Sequence, residues 1–331
     1  MVRRQAAALR LVRRVSPSEG GRPLIDLLGE WTAFALGASV PRSRLRALVA
    51  AGAVRVDGVA LRAPGRPLAA GRKVDVRLRP QALRPPTERS DRPFVLTPAA
   101  VLFRDEWLIA VNKPPGLPTH ATADPARPSL VAAVERLLAG GAGRPYVAVH
   151  QRLDRDTSGV VLFAIARSAN EGLARAFAGH RVTKVYLALA AQTGPEPPQQ
   201  LTVDEPLSIA ADGRVRVGGA AARPALTRVV VRERLGPLLL VEALPTTGRK
   251  HQVRVHLARA GLPILGDTLY GPLATSRPES RAARQQRAPR LMLHAARLTL
   301  PHPISGERLV LESPLPPDFA GLLRLARSSA R

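Results

Sequence analysis

A run of seven apolar residues at positions 160–166 is the clearest structural signal in the chain. It contains β-branched and large side chains and follows the turn residues 157–159, a combination that predicts a strand buried in a sheet. The loop before it carries Asp154, and reactive side chains tend to lie on loops held by rigid elements. The pattern therefore indicates a carboxylate fixed next to a core strand.

Two further segments combine regular periodicity with a polar side chain. Residues 251–260 are expected to form a helix that ends at Gly261, with Arg254 in its first turn. Tyr186 follows Lys184 by two positions in an apolar stretch that is typical of a strand. Arg254 would therefore project from a helix and Tyr186 from a strand.

The N-terminal part has the pattern of a small separate domain over residues 21–80. Apolar positions at helical spacing lie within residues 41–52. Alternating residues at 54–56 lead into the hairpin turn Asp57-Gly58, and a second alternating strand follows at 71–76. We expect one helix and a small sheet here.

Composition indicates the remaining boundaries. Residues 1–20 are predicted to be a basic extension, because their first part holds five Arg and no acidic residue. Residues 81–99 are rich in Pro and Arg without periodicity, as in a semi-extended linker. A larger domain is expected over 100–320, with a tail over 321–331. Within it, the Arg-rich stretch 276–290 is expected to form a long loop.

The charge of the chain favours a polyanionic partner. Its 331 residues carry 50 Lys and Arg against 25 Asp and Glu, a formal net charge of +25. Such an excess is typical of proteins that bind nucleic acid. Two other sources of the charge stay open: solubility, and Arg enrichment in a GC-rich genome.

Several other chemistries find little support in the sequence. The absence of Cys excludes disulfides and a thiol nucleophile. His251 and His256 would lie roughly 140° apart on a helix and could not share a metal ion. Ser158 lacks the glycines of a nucleophile elbow. No stretch approaches the ~18 apolar residues of a membrane-spanning helix. We expect neither metal nor cofactor.

An ordered series of short blocks runs through the larger domain. Residues 150–159 read His-Gln-Arg-Leu-Asp-Arg-Asp-Thr-Ser-Gly, and residues 113–116 read Lys-Pro-Pro-Gly. The other blocks are residues 103–112, 184–188, 248–257, 266–271, 293–295 and 301–303. Together they resemble the RluA-type pseudouridine synthases, which isomerise uridine to pseudouridine in structured RNA. One departure is Gln151, which separates His150 from Arg152 where the family usually reads His-Arg-Leu-Asp.

The resemblance implies a fold and a set of site residues. The fold would be α+β, with a mixed, largely antiparallel sheet flanked by helices. Asp154 would be the catalytic carboxylate, Arg254 its cationic partner and Tyr186 the aromatic group beside the reacting base. An Arg within roughly 4–6 Å favours the anionic form of a buried Asp. Arg152 would fill the gap left by an extruded nucleotide, with a structural role as the alternative.

The domain at 21–80 resembles the S4 RNA-binding domain. The predicted RNA contacts are basic residues of both domains: Arg42, Arg44, Arg46, Lys113, Arg152 and Lys184. For the three Arg of the small domain, a solvated helix face is the alternative. The resemblance favours ribosomal RNA of the large subunit over transfer RNA, acted on by a cytoplasmic monomer with no membrane partner.

Two functions of other classes stay open at this point. A non-catalytic RNA-binding or ribosome-assembly protein of the same fold would share the charge but would not need Asp154, Tyr186 and Arg254 together. A carboxylate-dependent glycosidase of nucleotides would want a second carboxylate, for which Asp156 is the near candidate. Asp156 could equally cap the turn that follows it.

Overall fold

The computed structural model of the protein describes residues 9–36, 40, 42–50, 52–78, 94–121, 128–140, 144–210, 212–271 and 288–330. The chain forms two compact units, Met1–Arg92 and Pro93–Arg331. Most of the loop predicted at 276–290 lies outside the described residues. No helix in the described part of the chain is long and apolar enough to cross a membrane.

The described part of the small unit is a four-stranded antiparallel sheet with two α-helices. In chain order its elements are β1 (Leu9–Arg14), α1 (Leu24–Leu36), α2 (Arg42–Ala50), β2 (Val54–Val56), β3 (Val59–Ala60) and β4 (Lys73–Leu78). The strands lie in the order β1-β4-β2-β3. Asp57 and Gly58 both have positive φ, as the predicted hairpin turn requires. The core of this unit includes the buried Trp31 of α1.

Strand β1 corrects the prediction of a basic extension over residues 1–20. It pairs with β4 along its whole length, from Leu9 opposite Leu78 to Arg14 opposite Lys73. Leu11 packs against the core, and Arg10 forms an ion pair with a carboxylate of β4. Arg10 and Arg14 therefore lie on the side of β1 that faces away from the core, whereas Arg13 lies over the ring of Trp31. The strand covers the edge of β4.

The large unit contains a ten-stranded mixed sheet and a separate two-stranded ribbon. Its strands are β5 (Val101–Arg104), β6 (Leu108–Lys113), β7 (Ala148–Val149), β8 (Ser158–Ala164), β9 (Thr183–Ala191), β10 (Gln200–Asp204), β11 (Leu207–Ile209), β12 (Val215–Val217), β13 (Leu226–Leu235), β14 (Leu238–Pro245), β15 (Leu293–Pro301) and β16 (Arg308–Glu312). The α-helices among its described residues are α3 (Leu130–Leu138), α4 (Arg167–Ala178), α5 (Gln252–Arg259) and α6 (Pro317–Ser329).

The order of the strands confirms the predicted sheet. The sheet runs β10-β13-β14-β9-β15-β8-β6-β5, with β16 added to β15 and β7 added to β8, while β11 and β12 form the ribbon. Strands β8 and β15 are parallel, and the other neighbouring pairs are antiparallel. The fold is therefore α+β, mixed and largely antiparallel.

Strand β8 is buried on both faces, as its apolar run predicts. Val160 and Leu162 belong to the core that α4 covers, whereas Val161 and Phe163 belong to the core that α3 covers. Pairing with β15 and β6 occupies both edges. The loop with Asp154 therefore enters a strand that is held on all sides.

Two boundaries of the large unit differ from the sequence-based prediction. The predicted linker extends to residue 99, but Leu96 is buried in the same core as Ile109. The predicted tail at 321–331 largely belongs to α6, where Phe319, Leu323 and Ala326 are buried against the core of β13 and β14. These three positions have the spacing of one helix face. The neighbouring Arg residues make the segment look polar when only its composition is considered.

Lys113 is buried, so its predicted contact with RNA is wrong. The residue ends β6 with 0% of its surface exposed. Its Nζ donates to the carbonyl oxygens of Pro114, Leu117 and Arg155 at 2.9, 2.8 and 2.9 Å. Burial, opposed by the nearby carboxylates, lowers the pKa of Lys113 to about 7. The side chain joins the turn after β6 to the loop before β8.

The loop that carries Asp154 is held on both sides of that residue. The carbonyl of Arg155 accepts from the buried lysine and from the amide of Gly116. The Thr119 hydroxyl donates to the carbonyl of Leu153 and accepts from its amide, and the Leu153 side chain is buried. Asp154 thus projects from a backbone that is fixed one residue before it and one residue after it.

We expect Phe319→Ala to lower the free energy of unfolding by about 3–5 kcal/mol, because it leaves a cavity in the core. Leu325→Ala is the matched control on the same helix: Leu325 is 65% exposed, so its loss should cost less than about 0.5 kcal/mol. Denaturant titrations of both variants measure the difference. Two equally small effects would contradict the placement of α6 in the core.

The low pKa of Lys113 makes stability depend on pH. The ordinary value for lysine is 10.5, so between about pH 7 and pH 10 the unfolded chain binds more protons at this residue and the folded state gains stability as pH rises. Lys113→Met should remove this gain. It should also cost about 2 kcal/mol or more, because three buried carbonyls lose their donor.

Denaturant titrations at about pH 7 and pH 10 measure both effects of Lys113→Met. Lys73→Met serves as the control, because it removes an exposed lysine of the small unit. The stability of the control should rise with pH as in the wild type. A Lys113→Met variant with the same rise would show that Lys113 is charged in the folded state throughout this range.

Candidate active site

Asp154 faces a cleft of about 750 Å³ in the large unit. Its side chain is 27% exposed. Four other residues that the sequence singles out line the same cleft: Arg152, Lys184, Tyr186 and Arg254. The fold therefore brings together residues that are far apart in the chain; Asp154 and Arg254 are separated by 100 positions.

Arg254 projects from the first turn of α5, as predicted. Its Nη1 donates to Asp154 Oδ2 at 3.0 Å. Its Nε and Nη2 donate to the two carboxylate oxygens of Asp267 at 2.7 and 2.8 Å. Burial acts to lower the pKa of Arg254, but the two carboxylates raise it. The guanidinium is therefore a permanent cation shared by a buried carboxylate and a cleft-facing one.

Asp267 is a site residue that the sequence analysis did not single out. Its side chain is 1% exposed and accepts from the amides of Leu269 and Tyr270 at 2.9 and 3.0 Å. Burial acts to raise the pKa of Asp267, but Arg254 and the two amides hold it below its usual range. The bidentate pair fixes the plane of the guanidinium and directs Nη1 at Asp154.

His251 stands next to Asp154 at the start of α5, in a left-handed backbone conformation with φ 53°. Its Nε2 lies 3.8 Å from Asp154 Oδ2, and its Nδ1 lies 2.9 Å from the Tyr270 hydroxyl. That hydroxyl accepts from the amide of Val215, so its own proton can be donated to Nδ1. Burial lowers the pKa of His251, which leaves Arg254 as the cation at Asp154.

Tyr186 reaches the cleft from β9. Burial, reinforced by the charge of Asp154, raises the pKa of Tyr186 well above its ordinary value. The phenol therefore stays protonated and can donate a hydrogen bond. Lys184 lies two positions earlier on the same face of β9 and donates to the carbonyl of Thr247 at 3.1 Å. Burial lowers the pKa of Lys184.

The cleft is strongly cationic. Six Arg and Lys residues line it, namely Arg152, Arg155, Lys184, Arg249, Lys250 and Arg254. Asp154 is the one carboxylate among the lining residues that the structure describes. A concave surface of one sign concentrates ligands of the opposite sign, so this cleft favours a polyanion.

The chain departs from the family pattern at His150 and Gln151, and these two side chains bond to different elements. Gln151 Nε2 donates to the carbonyl of Val160 at 3.4 Å. His150 instead faces α4, where its Nε2 lies 2.9 Å from Asn170 Oδ1. In the described part of the structure, neither residue forms a hydrogen bond with Asp154.

The RNA contacts predicted for the small unit belong to α2. Arg42 and Arg46 are exposed, and Arg42 forms an ion pair with Asp26. The side chain of Arg44 lies outside the described part of the structure. RNA binding by this helix stays a prediction, as does its assignment to an S4-like domain.

The arrangement suits a reaction in which a carboxylate oxygen of the protein acts as the nucleophile or as the base. The Asp154 carboxylate can attack an electrophilic carbon or remove a proton, and the Tyr186 ring can support a planar group. Among the described residues, no group of three or more His, Cys, Asp or Glu side chains is arranged to hold a metal ion. The described cleft thus offers a carboxylate, a phenol and cations as its reactive and binding groups.

Comparison with known proteins agrees with this site. Residues 107–259 match the family model described as RNA pseudouridylate synthase. Ribosomal large subunit pseudouridine synthase C of Yersinia pestis is 32% identical over 329 residues, 96% of this chain and 95% of that protein. Ribosomal large subunit pseudouridine synthase D of Nitrosomonas europaea is 36% identical over 232 residues, 70% of this chain and 66% of that protein.

Solved structures include a fold of the same kind. Human RNA Pseudouridylate Synthase Domain Containing 4 has a TM-score of 0.58 and 28% identity, over 69% of this chain and 93% of that one. The matched family region contains both Asp154 and Arg254. A relative at 32% identity is covered almost completely. The chain therefore belongs to the RNA pseudouridine synthase family, whose members are isomerases.

Proposed function

We propose that this chain isomerises uridine to pseudouridine in large-subunit ribosomal RNA, with Asp154 as the catalytic carboxylate. The observation that carries the proposal is the hydrogen bond from Arg254 to a cleft-facing Asp154 in a cationic cleft. The names of the relatives from Yersinia pestis and Nitrosomonas europaea support the substrate class. We further propose that the chain acts as a monomer in the cytoplasm.

The reaction requires the glycosidic bond to break, the uracil to turn and a carbon–carbon bond to form without loss of the base. Asp154 acts at the sugar, either as the nucleophile or as the base that starts elimination. Arg254 gives the carboxylate a cationic hydrogen-bond partner when RNA displaces water from the cleft, and an unpaired buried charge would be strongly destabilising. Asp267 holds the guanidinium in the orientation that this contact needs.

Tyr186 supports the uracil while it is detached. A base taken out of its stack is stabilised by a flat aromatic surface, and the protonated phenol adds a hydrogen-bond donor. The exposed Arg152 fills the space that the extruded nucleotide leaves, and Lys184 contacts the RNA near β9. These roles follow from the position of all three residues in one cleft.

The site argues against the two alternative functions. For a protein that only binds RNA, a carboxylate in the cleft would repel phosphates, and its pairing would neutralise part of the charge of Arg254. A glycosidase would need a second carboxylate, but both oxygens of Asp156 accept from the Arg155 guanidinium at 2.9 Å. Asp156 is also absent from the described lining of the cleft.

Pseudouridine maps of RNA from cells with and without this chain test the proposed function. We expect specific uridines of large-subunit ribosomal RNA to lose the modification, and the purified chain should restore it on an unmodified transcript. Loss confined to transfer RNA would overturn the substrate. An unchanged map together with an inactive purified chain would favour a non-catalytic RNA-binding protein.

Asp154→Asn keeps the shape of the side chain and removes its charge. We expect turnover to fall by roughly 10²–10⁴-fold or more, while folding and RNA affinity persist. The matched control is Asp156→Asn in the same loop, which should retain activity within about tenfold because it breaks an exposed ion pair. Single-turnover assays on the transcript measure both. An Asp154→Asn enzyme within tenfold of the wild type would refute the assignment.

The small unit is proposed to bind RNA through phosphates at Arg42 and Arg46. Each lost phosphate contact should reduce the slope of log affinity against log salt by roughly 0.7–0.9. The double variant Arg42→Gln and Arg46→Gln should thus flatten the slope by roughly 1.5. Arg22→Gln, which removes an arginine that lies outside α2, is the control and should keep the slope. An unchanged slope in the double variant would indicate a solvated helix face.

A further inference from the structure

The cleft extends from Asp154 to two aromatic rings that the proposed chemistry does not use. His150 and Phe177 both line it. Their ring centroids are 6.0 Å apart, and their planes meet at 19°, so the rings are stacked. Both side chains are half-buried. We call His150 and Phe177 the ring pair.

All five residues from His150 to Asp154 line the cleft. Gln151 donates to the carbonyl of Val160 in β8, and the Leu153 side chain is buried in the core that α3 covers. The aromatic ring, the guanidinium and the carboxylate that this segment brings to the cleft come from His150, Arg152 and Asp154.

The ring pair is fixed by α4. Asn170 Oδ1 lies 2.9 Å from Nε2 of His150 and sets the plane of the imidazole. Ala174, Phe177 and Ala178 line the cleft and share one face of the helix. Because alanine side chains are small, this face leaves room for a flat ligand next to the rings.

The spacing within the segment fits neighbouring nucleotides. Four extended residues span at most roughly 14 Å, so the ring pair and Asp154 are close enough to contact adjacent units of one RNA strand. Arg152 stands between them in the chain and is exposed. The proposed function places its guanidinium in the gap that the extruded uridine leaves, next to the neighbouring base.

We propose that the ring pair is a stacking subsite for the base of the nucleotide next to the target uridine. This rests on the proposed function, since Asp154 defines the target. Extrusion of a uridine loosens the stack around it. While Arg152 fills the gap itself, aromatic side chains can stack on an adjacent unpaired base. The ligand is an unpaired nucleobase. Stacking on the ring pair requires that a base is present but does not depend on the hydrogen-bonding groups that the base carries.

A structural role for the rings gives a different expectation. If the rings only pack the 150–154 segment against α4, a variant of Phe177 lowers activity equally on every RNA. If they stack on a base, the effect of the variant depends on whether that base is present. A substrate that lacks the base therefore distinguishes the two roles.

The experiment uses the full-length enzyme and an RNA fragment that carries the uridine found by mapping. Two further fragments replace the nucleotide on the 5′ or the 3′ side of that uridine with an abasic one. Wild-type kcat/KM should fall by roughly 5- to 150-fold at one of the two positions, the value of one base–aromatic stack. Turnover of the intact fragment reports on the proposed function by itself.

Variants of the ring pair should abolish this penalty. In Phe177→Leu and His150→Ala, kcat/KM on the intact fragment should approach the abasic value, and the two substrates should differ by less than about twofold. Phe177→Tyr keeps an aromatic ring and should retain the penalty. Glu171→Ala, at an exposed residue of α4, is the matched control and should behave as the wild type.

Two results would overturn the subsite while leaving the proposed function intact. In one, the wild type is active but shows no penalty at either abasic position. In the other, Phe177→Leu and His150→Ala are slower but keep the full penalty, which identifies a packing role. Thermal melting of each variant verifies that it is folded.

Discussion

The guanidinium of Arg254 is the interaction on which the site depends. It is a single cation between two carboxylates, one nearly inaccessible at Asp267 and one facing the cleft at Asp154. A lysine could not replace it, because the planar fork donates along two edges in fixed directions. The direction from which Arg254 donates to the outer carboxylate is therefore set by an ion pair in the protein interior.

The rest of the large unit positions Arg254 and Asp154 next to each other. The helix α5 supplies the cation, while the loop before β8 supplies Asp154 from a backbone held by Lys113 and Thr119. Gly159 shows how closely β8 approaches β15: its φ is +117°, and a Cβ there would lie 2.2 Å from the carbonyl oxygen of Ala295. Only glycine allows this approach, so the position of the loop depends on a residue with no side chain.

Much of the site could be predicted from local sequence, because its signals are local. The apolar run of β8 and the helix that ends at Gly261 indicate where Asp154 and Arg254 lie in their elements. The role of Asp267 depends on a partner that the chain brings from another segment, and nothing around it distinguishes a buried ion pair from a turn residue. Lys113 was mistaken for a surface cation, because a sequence does not show that three carbonyls converge on an ammonium group. The strand β1 and helix α6 were missed because exposed arginines mask their buried positions.

The place of β15 in the sheet also bears on how the enzyme is made. This strand lies between β9 and β8, so it joins the half of the sheet that carries Tyr186 to the half that leads to Asp154. Its His294 bonds Ser158, a residue 136 positions earlier in the chain. Contacts of such separation form late, because a long loop must close first. A ribosome that synthesises this chain thus completes the strands of both halves before the strand that unites them.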